Sequence, residues 1–334
     1  MLNQFVVVGD LHCSPTSLPA IEKLFNVLNI IQNYTPIFLG DFFHSKNKFD
    51  SRFLIELFSI LSSYKNEAIV ISGNHDFIDN ETSIIDILPS NFIKITKPTI
   101  KDFGTHKFAF LPYTAYTEEA ASLLLKWANP YTILFSHIII DTLTDLNLAS
   151  FPKPLFNDFR AVINGHVHTS KIVDHILQPG SIYPVSISEV PNYNPFLIFI
   201  ENGSITDVEK LNLFSIVETD EFNSSLNNKS TIIKTNNKEL LIEYDNVFKI
   251  FLTTKKEHKE EIGSVVKLKQ SFNETLKTQI ELFGLNDIDL NILKTTLPKT
   301  YNLWEKELII EDMVNILELT IKDAENLVEE LKLS

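Results

Sequence analysis

Short apolar runs, each closed by a polar residue able to bind a ligand, recur through the first half of the chain and narrow its fold more than any other feature. QFVVVG at 4–9 runs into Asp10, PIFLG at 36–40 into Asp41, and AIVISG at 68–73 into Asn74. Later runs at 131–136 and 160–164 lead into His137 and to the neighbourhood of His166. Continuous apolar runs of this length read as strands buried on both faces. Between them, PAIEKLFNVLNIIQN (19–33) and SRFLIELFSILSSY (51–64) repeat apolar residues at helical spacing, and Pro19 suits a first helical turn. The alternation predicts an α/β core. Its polar residues stand at the C-terminal ends of strands, where open α/β sheets build their sites. Further strands are expected at 107–111 and 196–200 and a helix at 117–128. The stretch 141–160 reads as loop, and 174–186 as short strands with turns.

A chain of 334 residues holds about two domains at about 150 residues each. The texture changes after residue 203. NGSITDVEKLNLF (202–214) reads as the last strand of the first domain, and polar 220–230 as a linker. Segments 231–235, 239–244 and 247–253 are strand-like, and 257–270 is helical. In 304–332, Ile310, Val314, Leu317, Ile321, Ala324, Val328 and Leu331 alternate steps of four and three. That repeat is the seam of a coiled coil or helix pair. An amphipathic helix on its own domain, a partner-docking helix and a homodimer helix all satisfy it. The division expected is 1–205, 206–300 and 301–334.

Cys13 is the single cysteine, so neither an intramolecular disulfide nor a thiolate zinc cluster is available. A reducing compartment is expected. The N-terminus has no basic stretch before Asp10, and no run of 18 residues escapes polar interruption. Neither a signal peptide nor a membrane span is expected, which points to the cytoplasm, that of the host if the gene is a phage's. The net charge is −14, with 18 acidic against 13 basic residues in 1–200 and 25 against 16 in 201–334. Such a surface repels free nucleic acid at long range, though it leaves room for a cation site that meets phosphate.

Five clusters carry the chemistry: Gly9-Asp10-Leu11-His12, Gly40-Asp41-Phe42-Phe43-His44, Gly73-Asn74-His75-Asp76, Ser136-His137 and Gly165-His166-Val167-His168. Six of the nine histidines fall in them. Asp10 or Asp41 alone would read as a helix cap, and Asn74 alone as a turn residue. Five successive clusters argue for a shared site. Carboxylate, imidazole and amide donors without thiolate suit Mn²⁺, Fe or Zn²⁺. Asp41 can bridge two ions, and two ions about 3.5–4 Å apart can clamp the attacking and leaving oxygens of a phosphoester. His166 and His168 reach one site only if the backbone turns between them, which places them on a loop.

In order and spacing these clusters resemble the calcineurin-like metallophosphoesterases. The resemblance covers about residues 1–205. It implies two mixed sheets forming a sandwich flanked by helices, followed here by a small α+β domain and a terminal helical segment. Within that superfamily, GDFFHS at 40–45 is most similar to the SbcD-type nuclease subunits and their phage counterparts. The resemblance implies one metal held by Asp10, His12, Asp41 and His168, and a second by Asp41, Asn74, His137 and His166. Mn²⁺ is the expected ion. His75 would contact the scissile phosphate and assist the leaving oxygen, Asp76 would orient its ring, and His44 would be a second phosphate-side histidine.

The implied function is hydrolysis of DNA phosphodiesters by metal-bound hydroxide, as exonuclease and endonuclease, in recombination, repair and replication. The implied partner is an SMC-like coiled-coil ATPase docked through 301–334, with homodimerisation through 19–33 and 51–64. Two departures from a stand-alone DNA enzyme are visible. Arg52 and Arg160 are the only arginines, and the chain is acidic throughout. A small-molecule phosphodiesterase or protein phosphatase with the same site is the alternative, and a non-catalytic subunit the third reading.

Overall fold

The computed structural model describes residues 4–46, 50–79, 82–103, 106–141, 143, 150–236, 240 and 246–252. They belong to one compact unit, Met1–Lys255; a second unit is Lys256–Ser334. The helices expected at 257–270 and 304–332, and the partner segment 301–334, lie outside the described residues. So does 239–244, apart from Leu240.

In chain order the first elements are β1 (Gln4–Val8), α1 (Leu18–Ile30), β2 (Thr35–Phe38), α2 (Ser51–Ser63), β3 (Ala68–Ile71), β4 (Phe92–Ile95) and β5 (Thr99–Phe103). Then come β6 (His106–Leu111), α3 (Glu118–Trp127), β7 (Thr132–Ser136), β8 (Ala161–Asn164), β9 (Lys171–Val173) and β10 (Ile176–Gln178). The last are β11 (Phe196–Glu201), β12 (Ser204–Lys210), β13 (Ser215–Glu218), β14 (Thr231–Thr235) and β15 (Lys249–Leu252). Two six-stranded mixed sheets result, ordered β12-β11-β1-β2-β3-β4 and β5-β6-β7-β8-β10-β9. β1 to β4 run parallel, and β11 joins β1 antiparallel.

Side-chain alternation explains the layering, because successive residues of a strand face opposite sides. Phe5 and Val7 of β1, Ile37 of β2 and Ile69 of β3 pack with Phe108, Phe110, Ile133, Phe135 and Ile163 of the second sheet. Val6, Val8, Phe38 and Val70 face the other way, onto Ile21, Leu24 and Phe25 of α1 and Phe53, Leu57 and Leu61 of α2. On the outer side of the second sheet, Ala109, Leu134 and Val162 meet Leu124 and Trp127 of α3. A strand covered on both faces has no polar side to alternate with, hence the unbroken apolar runs. Asp50 and Thr117 cap α2 and α3 by accepting from the Arg52 and Ala120 N–H groups.

A small parallel sheet, β13-β14-β15, follows. Lys23 of α1 ties to it: Nζ donates to the Leu213 and Lys229 carbonyls at 3.2 and 2.9 Å and to Ser230 Oγ at 2.8 Å, and lies over the Phe214 ring. No helix among the described residues is long and apolar enough to cross a membrane.

Candidate metal centre

Each cluster follows directly on a parallel strand, so sheet geometry carries its side chains to one edge of the sandwich. The β1–β2 pairing continues past both strands. His12 N–H donates to the Asp41 carbonyl at 2.8 Å, Cys13 N–H to Phe42 at 2.8 Å, and His44 N–H to Cys13 at 3.1 Å. His12, Asp41 and His166 adopt left-handed backbone, with φ of 44°, 45° and 75°. Such conformations are costly away from glycine and persist where surrounding contacts fix them. Gly73 is required by crowding: a Cβ there would lie 2.1 Å from Asp41 Oδ1 and 2.2 Å from Asp41 N.

The structure brings Asp10, His12, Asp41 and His168 into one group, with one ligand atom from each within 4.8 Å of the others, and Asp41, His137 and His166 into a second. Asp41 belongs to both. Asn74 joins the second group, its Oδ1 lying 3.1 Å from His137 Nε2 and 3.0 Å from His166 Nδ1. His12 Nε2 and His168 Nε2 stand 2.8 Å apart. The unused ring atoms are anchored: His137 Nδ1 lies 2.9 Å from the Leu39 carbonyl, so its Nε2 faces the cluster.

This donor set fits a pair of divalent cations. Asp10, Asp41 and Asp76 are 0–1% exposed, and among the described residues the ion pairs of the first two are with imidazoles. Buried charges need counter-charge or a metal. Burial pushes Asp10 up to about 6 and, reinforced by Asp41, pushes Asp76 up to about 7. Burial would lower His137, but Asp41 and Asp10 raise it to about 9. Burial and the adjacent His137 push His166 down to about 3, so it enters as a neutral donor. Two divalent ions bound there supply Lewis acidity toward a phosphoryl oxygen.

His75 and His44 stand beside the clusters, half-buried and stacked at 5.8 Å with planes 13° apart. His44 Nδ1 is 3.4 Å from His12 Nδ1. Asp76 was expected to orient the His75 ring; His75 Nδ1 meets the His44 carbonyl at 2.8 Å. Asp76 instead accepts from the Phe42, Phe43 and Gly73 N–H groups at 3.1, 2.9 and 2.8 Å. It therefore locks the loop after β2 to the loop after β3. Two residues at the site escaped sequence reasoning. Tyr113, following β6, places its ring 5.4 Å from that of His166. Glu189 hydrogen-bonds His168 Nδ1 at 2.9 Å. Ser186-Ile187-Ser188-Glu189 has the pattern of a helix-capping box, a signal that conceals a second role.

A model of the calcineurin-like phosphoesterase family matches residues 4–170, half of the chain, and the chain belongs to that family. It is a metal-dependent hydrolase of that superfamily. No curated protein matches it. Similar solved structures include a hypothetical protein from Thermus thermophilus, 13% identical, matched over 62% of this chain and 97% of its own with a TM-score of 0.38. Another is described as a novel archaeal phosphodiesterase, 16% identical over 62% of this chain and 99% of its own, TM-score 0.35.

Proposed function

We propose that the protein hydrolyses DNA phosphodiesters as the nuclease subunit of a complex with an SMC-like ATPase. The observation that carries this reading is the stacked His44–His75 pair beside the two metal-type clusters. An alkoxide leaving from a phosphodiester needs a proton, and general acid catalysis by a placed histidine contributes about 10²–10⁴-fold. With Nδ1 held by the His44 carbonyl, proton transfer from His75 runs through Nε2. Neither arginine joins the site: Arg52 pairs with Glu56, and Arg160 donates to Ser204. Imidazoles without guanidinium suit a singly charged diester better than a dianionic monoester. The acidic surface makes a partner the source of DNA affinity, with 301–334 as its docking segment, α1 and α2 as the homodimer contact and Mn²⁺ as the ion.

The net charge of −14 specifically favours the second reading, a small-molecule phosphodiesterase or protein phosphatase. Labelled single- and double-stranded DNA, offered with Mn²⁺ in the presence and absence of a coiled-coil ATPase, separates the two. Cleavage of DNA is expected. No cleavage in any combination, beside robust hydrolysis of a small phosphomonoester, would remove the nuclease reading.

A further inference from the structure

We propose that Glu189 is a positioning residue of the metal centre: its carboxylate fixes the tautomer and rotation of His168 and thereby sets the cation affinity of the Asp10–His12–Asp41–His168 cluster. The proposal rests on the metal-hydrolase reading of the site.

A carboxylate oxygen 2.9 Å from His168 Nδ1 requires the proton to stand on Nδ1. That leaves the Nε2 lone pair, which lies 3.9 Å from Asp10 Oδ2 and 2.8 Å from His12 Nε2, turned into the cluster. The Glu189 carboxylate is itself held. Oε2 accepts from Val185 N–H at 2.6 Å, and Oε1 from Ser186 Oγ at 2.9 Å. Its side chain is only 15% exposed. The loop beneath is pinned in turn, because Lys249 Nζ of β15 donates to the Val185 carbonyl at 2.7 Å and to Pro184 at 3.3 Å.

Local capping does not account for this geometry. Ser186 is the N-cap of the 3₁₀ turn Ile187–Asn192 but makes no side-chain cap bond, so the S-x-x-E pattern is not used as a reciprocal cap. Beyond its local bonds to Val185 N–H and Ser186 Oγ, the carboxylate reaches outward to the imidazole. His137 and His75 anchor their Nδ1 atoms on neutral carbonyls, of Leu39 and His44. His168 is anchored by a charge. A carboxylate behind a metal-binding imidazole raises its basicity and holds its ring, and loss of such a partner costs about 10–100-fold in metal affinity.

The test is a Mn²⁺ titration of the metal-stripped full chain, with free Mn²⁺ followed by electron paramagnetic resonance. Wild type is compared with Glu189→Ala, Glu189→Gln, His168→Ala and the Glu189→Ala/His168→Ala double variant. Wild type is expected to bind two ions. Glu189→Ala should weaken one of them by about 10–100-fold and leave the other unchanged. Glu189→Gln, which keeps a hydrogen-bond acceptor but not the charge, should fall between. Adding Glu189→Ala to His168→Ala should cause no further loss, since the carboxylate acts through that ring. Circular dichroism checks folding, and Glu189→Gln carries the comparison if Glu189→Ala does not fold. Two ions bound as tightly by both Glu189 variants as by wild type would overturn this proposal alone. So would an equal loss in the His168→Ala background. A wild-type chain that binds no Mn²⁺ would overturn the metal-hydrolase reading, and this one with it.

Discussion

His75 and the buried carboxylates show how single side chains divide the work. His75 stands outside both donor groups, so His75→Ala should lower kcat by about 10²–10⁴-fold while two Mn²⁺ ions still bind. Steady-state kinetics beside a metal titration checks this, and unchanged kcat would remove His75 from the proton transfer. Two candidate ligand histidines, His137 and His168, set a pH dependence. His137 is raised to about 9 against burial by Asp41 and Asp10, and His168 to about 9 against burial by Glu189. A histidine raised in the folded state contributes stability present below about 6.5 and lost as pH climbs through 9. Metal binding needs the same nitrogens deprotonated. The ion-free protein should therefore lose Tm from this pair between pH 6.5 and 9, while the Tm gain from a fixed Mn²⁺ concentration should grow over that interval. Differential scanning fluorimetry reads both, and a gain that is flat with pH would contradict the assignment of these two rings.

Elements place these side chains through the loops at strand ends. Asp10, Asp41 and Asn74 were legible because each ends an apolar run, and β1, β2 and β3 lie where those runs do. β4 and β5 were not. Phe92–Ile95 is four residues long and interrupted by Lys94, and Thr99–Phe103 alternates half-buried with exposed positions, so neither offers an unbroken apolar run. The same short range hid the part played by Asp76, whose hydrogen-bond partners at Phe42 and Phe43 lie more than thirty residues away in sequence. Gly73 is the tightest joint between these loops. A Gly73→Ala methyl must displace Asp41, so about 1–3 kcal/mol of stability should be lost, together with Mn²⁺ affinity. Urea denaturation and Mn²⁺ titration measure the two, and a variant unchanged in both would show that the loop yields.

At the scale of the molecule, the small sheet is fastened to the catalytic fold by two lysines with different reach. Lys249 holds the loop that carries Glu189, whereas Lys23 bonds α1 to residues 213 and 229–230, away from the site. Lys23→Met should cost about 1–2 kcal/mol from its lost hydrogen bonds and ring contact, seen as a Tm drop of a few degrees, with Mn²⁺ affinity unchanged. A fall in Mn²⁺ affinity would mean that the small sheet's attachment at α1 also governs the centre. Sequence by itself determined the α/β alternation and marked Asp10, His12, Asp41, Asn74, His137, His166 and His168 as candidate donors, because burial on two faces and ligand chemistry are written in residue type and local order. Tertiary structure alone decided which donors share a point in space, that His75 is anchored by the His44 carbonyl, and that Glu189 stands behind His168. Those facts depend on contacts between segments far apart in the chain, and local periodicity carries no record of them.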